Sequence, residues 1–357
     1  MTAAGTSTAH AVSPDSGLHW SAEGAWPVAE GIHRIPLPLP MDGLRAVNVY
    51  VIEGPDGLTL IDGGWAIDVG RDLLDRCLRQ LGHGFGDIRR FLVTHVHRDH
   101  YTLAAVLGHE HGAEVALGLG EQPTLDLLNR DRPLETSPFL ELLRSAGAAD
   151  VAEEWAAVPR EEPDPAWWRY PTRWLERDQV VEVGRRSLDA VHTPGHTPGH
   201  FVFADRAAGL LFAGDHVLPT ITPSIGFTLP PVADPLGDFM ASLTKVRSLP
   251  DLTVLPAHGP VAPSSHARVD ELLRHHEDRL AQSRAALDAG PCTAHEVARV
   301  LAWTRHEHPY DRLDTFARGL ATMETKAHLD LLVAQGRAVA RSSADGIRYL
   351  LPGTGTP

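Results

Sequence analysis

The 357-residue chain is predicted to form an αββα sandwich, in which two β-sheets pack face to face and helices cover both outer surfaces. Short apolar runs typical of β-strands, separated by Gly and Pro, open the chain, and a second series of such runs begins at Gln179. Segments with the apolar spacing of amphipathic helices accompany each series. The repeated pattern predicts two similar α/β halves packed sheet to sheet.

The first half is predicted to form one of the two sheets and the helices that cover it. The predicted strands are residues 31–39, 47–53, 58–62, 90–94 and 114–117, and the predicted helices are residues 67–81 and 100–112. The second half repeats this composition. Its predicted strands are residues 180–183, 187–192, 200–204, 210–213 and 253–255, and its predicted helices are residues 239–249 and 264–289.

An insertion of about residues 120–177 separates the two halves. It contains three predicted helices, at residues 122–129, 138–146 and 151–158. A segment rich in Pro and Trp follows, with Trp167, Trp168, Tyr170 and Trp174 close together. This aromatic segment is expected either to cap the hydrophobic core or to form a lid over a substrate cleft, and the two roles are compatible.

The C-terminal part begins after the Gly290-Pro291 break. Predicted helices at residues 293–303, 311–319 and 321–335 are followed by β-like runs at 338–341 and 347–351, which indicates a small winged-helix module. The predicted organisation is therefore a disordered tail at residues 1–16, a catalytic domain at 17–290 and this module at 291–357. Residues 311–335 lack a basic stripe, so packing or homodimer formation is favoured over nucleic-acid binding.

Composition restricts the function classes. A hydrophobic fraction of 43% and a charged fraction of 22% are ordinary for a globular protein. No apolar run has the length of a membrane helix and residues 1–16 lack signal-peptide features, so a cytoplasmic location is expected. The net charge of −14 argues against a nucleic-acid substrate, whereas 21 histidines suggest metal binding.

The strongest chemical motif is THVHRDH at residues 94–100, where a predicted strand leads into a helix. His95 and His97 lie two apart on an extended segment and project to the same side, so both can bind one metal ion. Asp99 and His100 follow where the helix begins and can face a neighbouring position. Three imidazoles and a carboxylate in six residues are ligands typical of zinc.

Further candidate ligands follow other predicted strands. His196 lies at the centre of HTPGHTPGH at residues 192–200, where Gly and Pro set a tight turn, and the outer two histidines are expected to shape that turn. Asp215 occurs in FAGDH and His258 in PAHG, each directly after a strand. Placement of every candidate just past a strand end predicts one shared site.

These motifs resemble the metallo-β-lactamase superfamily, and within it the glyoxalase-II-like branch, over about residues 31–289. The resemblance implies a first metal held by His95, His97 and His196, and a second held by Asp99, His100 and His258. It further implies that Asp215 bridges the two metals and that Asp62, in LIDGG, orients a ligand. The C-terminal module resembles the winged-helix appendage of some members.

The expected activity is hydrolysis by two divalent metal ions, with zinc favoured and iron or manganese as alternatives. A hydroxide bridging the metals would attack the carbonyl of a small-molecule thioester, ester or lactone. Asp99 and Asp215 are the catalytic residues expected, Asp99 also as a proton acceptor. A nuclease or phosphodiesterase is the main alternative and an iron oxidoreductase a weaker one, since the insertion is acidic and aromatic and no flavin domain follows.

Substrate contacts are predicted for Tyr101, Trp167, Trp168 and His216, with Tyr170, Trp174 and Phe227 as further candidates. Tyr101 either points its phenol at the reacting carbonyl or packs in the first turn of its helix. Other histidines fall on faces or loops that the sequence predicts to be polar and solvated. They are His275, His276, His306, His308 and His328.

Overall fold

The computed structural model describes residues 18–40, 43–130, 137–158, 164–304 and 307–353. The tail predicted to be disordered, residues 1–16, and His306 lie outside the described residues. Within the described ranges, none of the helices combines the length and the apolar character needed to cross a bilayer.

The first sheet contains seven strands that are hydrogen-bonded in chain order. They are β1 (Trp26–Ala29), β2 (Ile32–Pro38), β3 (Ala46–Gly54), β4 (Gly57–Ile61), β5 (Ile88–Leu92), β6 (Glu114–Gly118) and β7 (Arg173–Leu175). Strands β1 to β4 pair antiparallel, and β4 to β7 pair parallel. The parallel connections carry the helices α1 (Asp68–Gln80) and α2 (Arg98–His111).

The second sheet has five strands in the order β12-β11-β10-β9-β8. They are β8 (Gln179–Val183), β9 (Arg186–His192), β10 (Phe201–Asp205), β11 (Leu210–Gly214) and β12 (Thr253–Pro256). The pairing is antiparallel except between β11 and β12. Helices α6 (Pro235–Arg247) and α7 (Ser265–Ala286) flank β12 in the chain.

Strand β10 shows how the sequence sets the layers. Its side chains are buried throughout, because both faces of the strand are covered. Phe201 and Phe203 join a cluster formed by residues of both sheets, whereas Val202 and Ala204 join a cluster with residues of α6 and α7. A third cluster joins the first sheet to α1 and α2. The mixed α/β prediction is thus confirmed, with two sheets packed between helical layers.

The insertion contains helices α3 (Gln122–Leu128), α4 (Pro138–Ser145) and α5 (Ala149–Ala156), close to the predicted positions. The aromatic segment forms a 3₁₀ turn at Pro165–Trp168 and then enters β7. Trp168 and Trp174 pack against the first-sheet cluster, whereas Tyr170 is half exposed. The segment therefore caps the first-sheet core.

The C-terminal part differs from the predicted set of three helices. It contains β13 (Cys292–Thr293), α8 (Ala294–Val300), β14 (Ala302–Trp303), β15 (His308–Pro309), α9 (Thr315–Ala334), β16 (Val339–Ser343) and β17 (Gly346–Leu350). The segments predicted as helices 311–319 and 321–335 are one helix, α9, which Asp314 caps by accepting a hydrogen bond from the amide of Ala317. The winged-helix interpretation of this part, and the division at residue 290, stay predictions.

The same hydrophobic cluster runs through the insertion, the second sheet and the C-terminal part. Leu143 of α4, Val151 of α5, Phe239 of α6, Leu280 of α7 and Leu329 of α9 all belong to it. The C-terminal part therefore shares its core with the rest of the chain. This packing also overturns the predicted solvation of two histidines, His276 and His328, because the contact between α7 and α9 buries them.

Gly319 lies inside α9 at the point where this helix meets α5. A Cβ added there would lie 2.5 Å from the indole ring of Trp155, which is far below a normal contact. Glycine is unfavourable within a helix, so the close approach of the two helices explains its presence. The sequence alone suggested a helix end at this position because it shows the glycine and not its neighbour.

We predict that Gly319→Ala destabilises the protein by about 1–3 kcal/mol through overpacking, although the exchange in an exposed helix normally stabilises by about 1 kcal/mol. Urea denaturation measures the effect. Gly86→Ala is the control, since a Cβ at Gly86 meets nothing within 4 Å. A stabilised Gly319→Ala variant would show that the packing of Trp155 is not what keeps glycine there.

Candidate metal centre

The candidate ligands lie in loops that directly follow strands, where the two sheets meet. Asp62 follows β4, the segment 95–100 follows β5, and His196, Asp215 and His258 follow β9, β11 and β12. Carboxyl ends of neighbouring parallel strands meet at one edge of a sheet, which brings distant parts of the chain together. Side chains separated by more than 160 residues thus converge on a single centre.

Gly195 fixes the turn that presents His196. Its φ of +136° is a conformation that residues with a side chain rarely adopt. A Cβ at this position would also lie 2.4 Å from the Cα of Phe239. The glycine of the first TPGH repeat is therefore required by both backbone conformation and space.

The first group of candidate ligands is His95, His97, His196 and Asp215, whose ligand atoms all lie within 4.8 Å of one another. Nδ1 of His97 lies 3.0 Å from Nε2 of His95 and 3.1 Å from Nε2 of His196. Oδ2 of Asp215 is 3.5 Å from Nε2 of His196. The resemblance assigned the same three histidines to one metal.

The second group consists of Asp99, His100 and His258. Nε2 of His258 lies 3.3 Å from Oδ2 of Asp99, and Nε2 of His100 lies 3.6 Å from the same oxygen. Oδ1 of Asp215 is 3.4 Å from Nε2 of His258 and 3.7 Å from Nε2 of His100. Asp215 therefore presents one carboxylate oxygen to each group, which is the arrangement of a bridging ligand.

Hydrogen bonds on the far side of the rings define which nitrogen faces the centre. Nδ1 of His196 donates to the carbonyl oxygen of Ser224, and Nδ1 of His258 donates to that of Ala46, each at 2.8 Å. A carbonyl oxygen only accepts, so Nδ1 carries a proton and, in the neutral ring that binds metal, Nε2 has a lone pair that points inward. Nδ1 of His100 likewise lies 2.9 Å from Oδ2 of Asp62. This is the support that metal-binding histidines normally have.

The inward-facing atoms fit divalent cations. Nε2 of His100, Nε2 of His258 and Oδ1 of Asp215 are buried and have no hydrogen-bond partner among the described residues. A buried polar atom without a partner costs about 1–3 kcal/mol. One ring proton on His97 also cannot satisfy two neighbouring imidazole nitrogens at 3.0–3.1 Å. Two cations would satisfy all of these atoms, and histidine with carboxylate is a donor set suited to zinc.

Electrostatics divide the centre into two unlike halves. Burial and the neighbouring imidazoles lower the pKa of His97 to about 3, and burial lowers that of His196 to about 4. Both rings are therefore neutral, the form that binds metal. Burial opposes charge on His100 as well, but the carboxylates of Asp99, Asp62 and Asp215 raise the pKa of His100 to about 10. The second group thus carries the negative potential that holds a cation.

Asp62 connects the two ends of the THVHRDH motif, Thr94 and His100. Its Oδ1 accepts the amide of Thr94 at 2.7 Å, while Oδ2 accepts the Thr94 hydroxyl at 3.1 Å and lies 2.9 Å from Nδ1 of His100. The backbone of Asp62 is left-handed, with φ of 61°. This arrangement gives Asp62 the orienting position that the resemblance implies.

His200 and His192 flank His196 without joining either group. Nε2 of His200 accepts the backbone amide of Asp215 at 3.2 Å, and its Nδ1 lies 2.9 Å from the hydroxyl of Thr193. Nε2 of His192 donates to the carbonyl of Pro198 at 2.9 Å. His200 therefore positions the bridging carboxylate, and His192 shapes the turn.

Glu121 is a site residue that the sequence analysis did not identify. It is fully buried after β6 and accepts a hydrogen bond from the hydroxyl of Thr197. Burial raises its pKa to about 7, opposed by that hydroxyl and by the amides of Gly199 and Val96. Glu121 thus links the segment of His95 and His97 to that of His196. The only signal in the sequence for this role was an acidic residue shortly after the predicted strand 114–117.

The candidate substrate residues lie in different surroundings. The Tyr101 hydroxyl donates to the carbonyl of Arg169 and its ring is buried, which favours the packing alternative. His216 is fully buried, with its ring 5.1 Å from that of Phe239. Trp167 is half-buried, with its ring centroid 6.4 Å from that of Trp65.

Trp65 in turn lies beside the ligand motif. The Arg98 guanidinium lies 4.3 Å from the centroid of the Trp65 ring. In the chain, Arg98 stands between the candidate ligands His97 and Asp99. Trp65, Arg98 and Trp167 therefore form a cluster, called the rim below, that includes this residue between two candidate ligands. Trp168 packs into the first-sheet core instead.

Comparison with known proteins identifies the family of this fold. A model of the metallo-β-lactamase superfamily matches residues 42–258, more than half of the chain. The probable metallo-hydrolase YqjP of Bacillus subtilis is 26% identical over 306 residues, which cover 85% of this chain and 91% of YqjP. The atrochrysone carboxyl ACP thioesterase AgnL7 of Paecilomyces divaricatus is 33% identical over 116 residues, covering 32% of this chain and 34% of AgnL7.

Two solved structures cover nearly the whole chain. A metallo-β-lactamase family protein of Thermus thermophilus has a TM-score of 0.73 and 29% identity, covering 90% of this chain and 99% of its own. A β-lactamase domain protein of Burkholderia ambifaria has a TM-score of 0.71 and 27% identity, covering 92% and 93%. The chain belongs to the metallo-β-lactamase superfamily. Its assignment to the glyoxalase-II-like branch stays a prediction.

We predict that Asp62→Ala lowers the affinity for the second metal ion by about 10- to 100-fold, because His100 loses the partner that orients it. Competition with a chromophoric chelator measures the affinity. Asp68→Ala is the matched control, since Asp68 is an exposed carboxylate in the first turn of α1. Equal affinities for Asp62→Ala and the control would contradict the orienting role.

We also predict that Glu121→Ala loosens the loop that carries His196. Hydrogen exchange at residues 195–199 should become faster, and metal affinity at the first group should fall by about 10-fold, since the link between the two ligand segments is lost. Exposed Glu153 provides the control as Glu153→Ala. Unchanged exchange in this loop would show that Thr197 does not depend on Glu121.

Proposed function

We propose that the protein is a dinuclear metal-dependent hydrolase that cleaves the carbonyl–sulfur bond of small-molecule acyl thioesters. Esters and lactones present the same electrophilic carbonyl and are the next candidate substrates. The observation that carries this proposal is the position of Asp215. One of its carboxylate oxygens faces the first ligand group, and the other faces the second.

In this proposal, His95, His97, His196 and Asp215 hold the first ion, and Asp99, His100, His258 and Asp215 hold the second. Zinc is the ion we expect, given three imidazoles in the first group and two in the second, together with carboxylates and no thiolate. Divalent cations in such a pair supply Lewis-acid polarisation of a carbonyl and lower the pKa of water to near neutrality.

The residues of the chain perform the remaining steps. Asp215 and the five histidines fix the position and spacing of the centre, and Asp62, Glu121 and His200 hold those ligands in place. The Asp99 side chain is 13% exposed, more than the 9% of Asp215 or the 2% of His258. Asp99 therefore lies on the open side of the centre, where it is suited to accept the proton of the attacking water and to protonate the leaving thiolate.

An acyl substrate suits the surroundings of the centre better than a polyphosphate does. The rim of Trp65, Arg98 and Trp167 offers aromatic and aliphatic surface to an acyl group. The net charge of −14 disfavours polyanions such as nucleic acids. AgnL7, which is similar to about a third of this chain, is by its name a thioesterase. We further propose that the C-terminal part is a winged-helix appendage for packing or homodimer formation.

The metal-loaded protein is predicted to release thiol from an acyl-CoA or acyl-glutathione thioester. Asp215→Asn should reduce kcat/KM by at least about 100-fold, because both groups lose their shared charged ligand. Thiol release with a chromogenic disulfide gives the rate. Asp288→Asn, an exposed carboxylate after α7, should retain full activity.

Chelation provides the second arm of this experiment. Removal of metal should abolish thiol release, and addition of zinc should restore it. If protein that holds two metal ions releases no thiol above the Asp215→Asn blank, the thioester proposal is wrong. Hydrolysis of bis(p-nitrophenyl) phosphate under the same conditions would then support the phosphodiesterase alternative.

A further inference from the structure

A second cluster of metal-binding side chains lies between α7 and α9, outside the centre described above. His275 and His276 of α7 and Glu324 of α9 place one potential ligand atom each within 4.8 Å of one another. None of these residues belongs to the two ligand groups of the catalytic centre. The ring of Phe239 lies 5.4 Å from that of His276 and 5.1 Å from that of His216, the residue after Asp215. The cluster is thus separate from the proposed active site.

A chain of hydrogen bonds fixes the protonation of His276. Nδ1 of His328 donates to the backbone carbonyl of Glu324 at 2.7 Å, because a carbonyl oxygen only accepts. The ring of His328 is buried, and in its neutral form Nε2 carries a lone pair. Nδ1 of His276, 3.2 Å away, must therefore donate to that lone pair.

This leaves Nε2 of His276 without a proton. His276 is fully buried, and its Nε2 has no hydrogen-bond partner in the described parts of the chain. A buried acceptor without a donor is unfavourable by about 1–3 kcal/mol. The carbonyl–His328–His276 chain is also the outer support that orients a histidine towards a metal ion.

The other two side chains supply a second nitrogen and a charge. His275 is exposed and free to adjust, and its ring centroid is 5.2 Å from that of His276. Glu324 is half-buried and supplies a carboxylate from the opposite helix. Burial raises the pKa of Glu324 while Arg279 lowers it. A cation at the cluster would stabilise the charged form of this carboxylate.

Arg279 is the cation that would compete with a metal ion, but it is directed elsewhere. Its guanidinium donates to the carbonyl of Ala302 at 3.1 Å and lies 4.3 Å from the centroid of the Trp303 ring. Arg279 is thereby held by the C-terminal part rather than by Glu324.

We propose that His275, His276 and Glu324 form a structural site for one zinc-type divalent ion that ties α7 to α9. Two imidazoles and one carboxylate favour zinc, cobalt or nickel over magnesium or calcium, which prefer oxygen ligands throughout. A water molecule would complete four-coordination. Because α7 belongs to the second-sheet layer and α9 to the C-terminal part, the ion would fasten these parts together.

The metal content of the whole protein tests this site. Wild type and the His275→Ala/Glu324→Gln variant are dialysed against chelator-buffered zinc, and bound zinc is counted by mass spectrometry. The variant should hold one ion fewer per chain. His109→Ala, which removes an exposed histidine of α2, should hold as many ions as wild type. The difference between proteins is the readout, so it does not depend on how the catalytic centre is filled.

Two further measurements separate the structural site from surface binding. Cobalt added to the wild type should give a d–d absorption component that the double variant lacks. Zinc should also raise the Tm of the wild type by more than that of the variant, whereas thioester hydrolysis should be equal in both. Equal zinc contents, or identical cobalt spectra, in wild type and variant would overturn the proposal.

Discussion

The convergence of buried imidazole nitrogens on the Asp215 carboxylate is the arrangement on which this structure depends. Nε2 of His196 and Nε2 of His258 face opposite oxygens of that carboxylate, and each ring is fixed from behind by a backbone carbonyl. Hydrogen bonds alone do not satisfy such a centre, because Nε2 of His100, Nε2 of His258 and Oδ1 of Asp215 have no hydrogen-bond partner among the described residues. Two divalent cations do satisfy it. The metal-binding geometry is thus built into the backbone contacts of the loops.

The rest of the fold serves to bring these loops together. Ligands follow β5 of the first sheet and β9, β11 and β12 of the second, so the centre lies where the two sheets meet. Direct contacts between the sheets fix that junction: Nδ2 of Asn48 donates to the carbonyl of Pro256 at 2.9 Å, and the hydroxyl of Tyr50 donates to the same oxygen at 2.8 Å. Both bonds end at Pro256, which is two residues before His258 in the chain. Sheet packing and ligand placement are therefore coupled.

Much of this arrangement was predictable from the sequence because its signals are local. Alternating and uniform apolar runs gave strands β2 to β6 and β8 to β12 to within a few residues. The HxHxDH motif and the residues after later strands predicted all seven candidate ligands, which the structure brings together in two groups. The role of Asp62 came from the family resemblance of LIDGG, and Asp62 follows β4 at the same edge of the sheet.

Features that depend on distant packing were not predictable. Gly319 suggested a helix end, yet α9 continues through it. Glycine is present there because Trp155, far away in the chain, occupies the space that a side chain would need. His276 and His328 suggested solvated positions until the contact of α7 with α9 was known. The role of Glu121 depends on Thr197, a partner 76 residues away. In each case the decisive neighbour belongs to another element.

Anomalous diffraction at the zinc edge from crystals of the metal-loaded protein tests the central claim most directly. The account predicts two peaks about 3.5–4 Å apart, one on each side of Asp215, with one bounded by His95, His97 and His196 and the other by Asp99, His100 and His258. A single peak, or peaks that leave Asp215 outside the coordination of one ion, would contradict the bridging role and with it the proposed dinuclear centre.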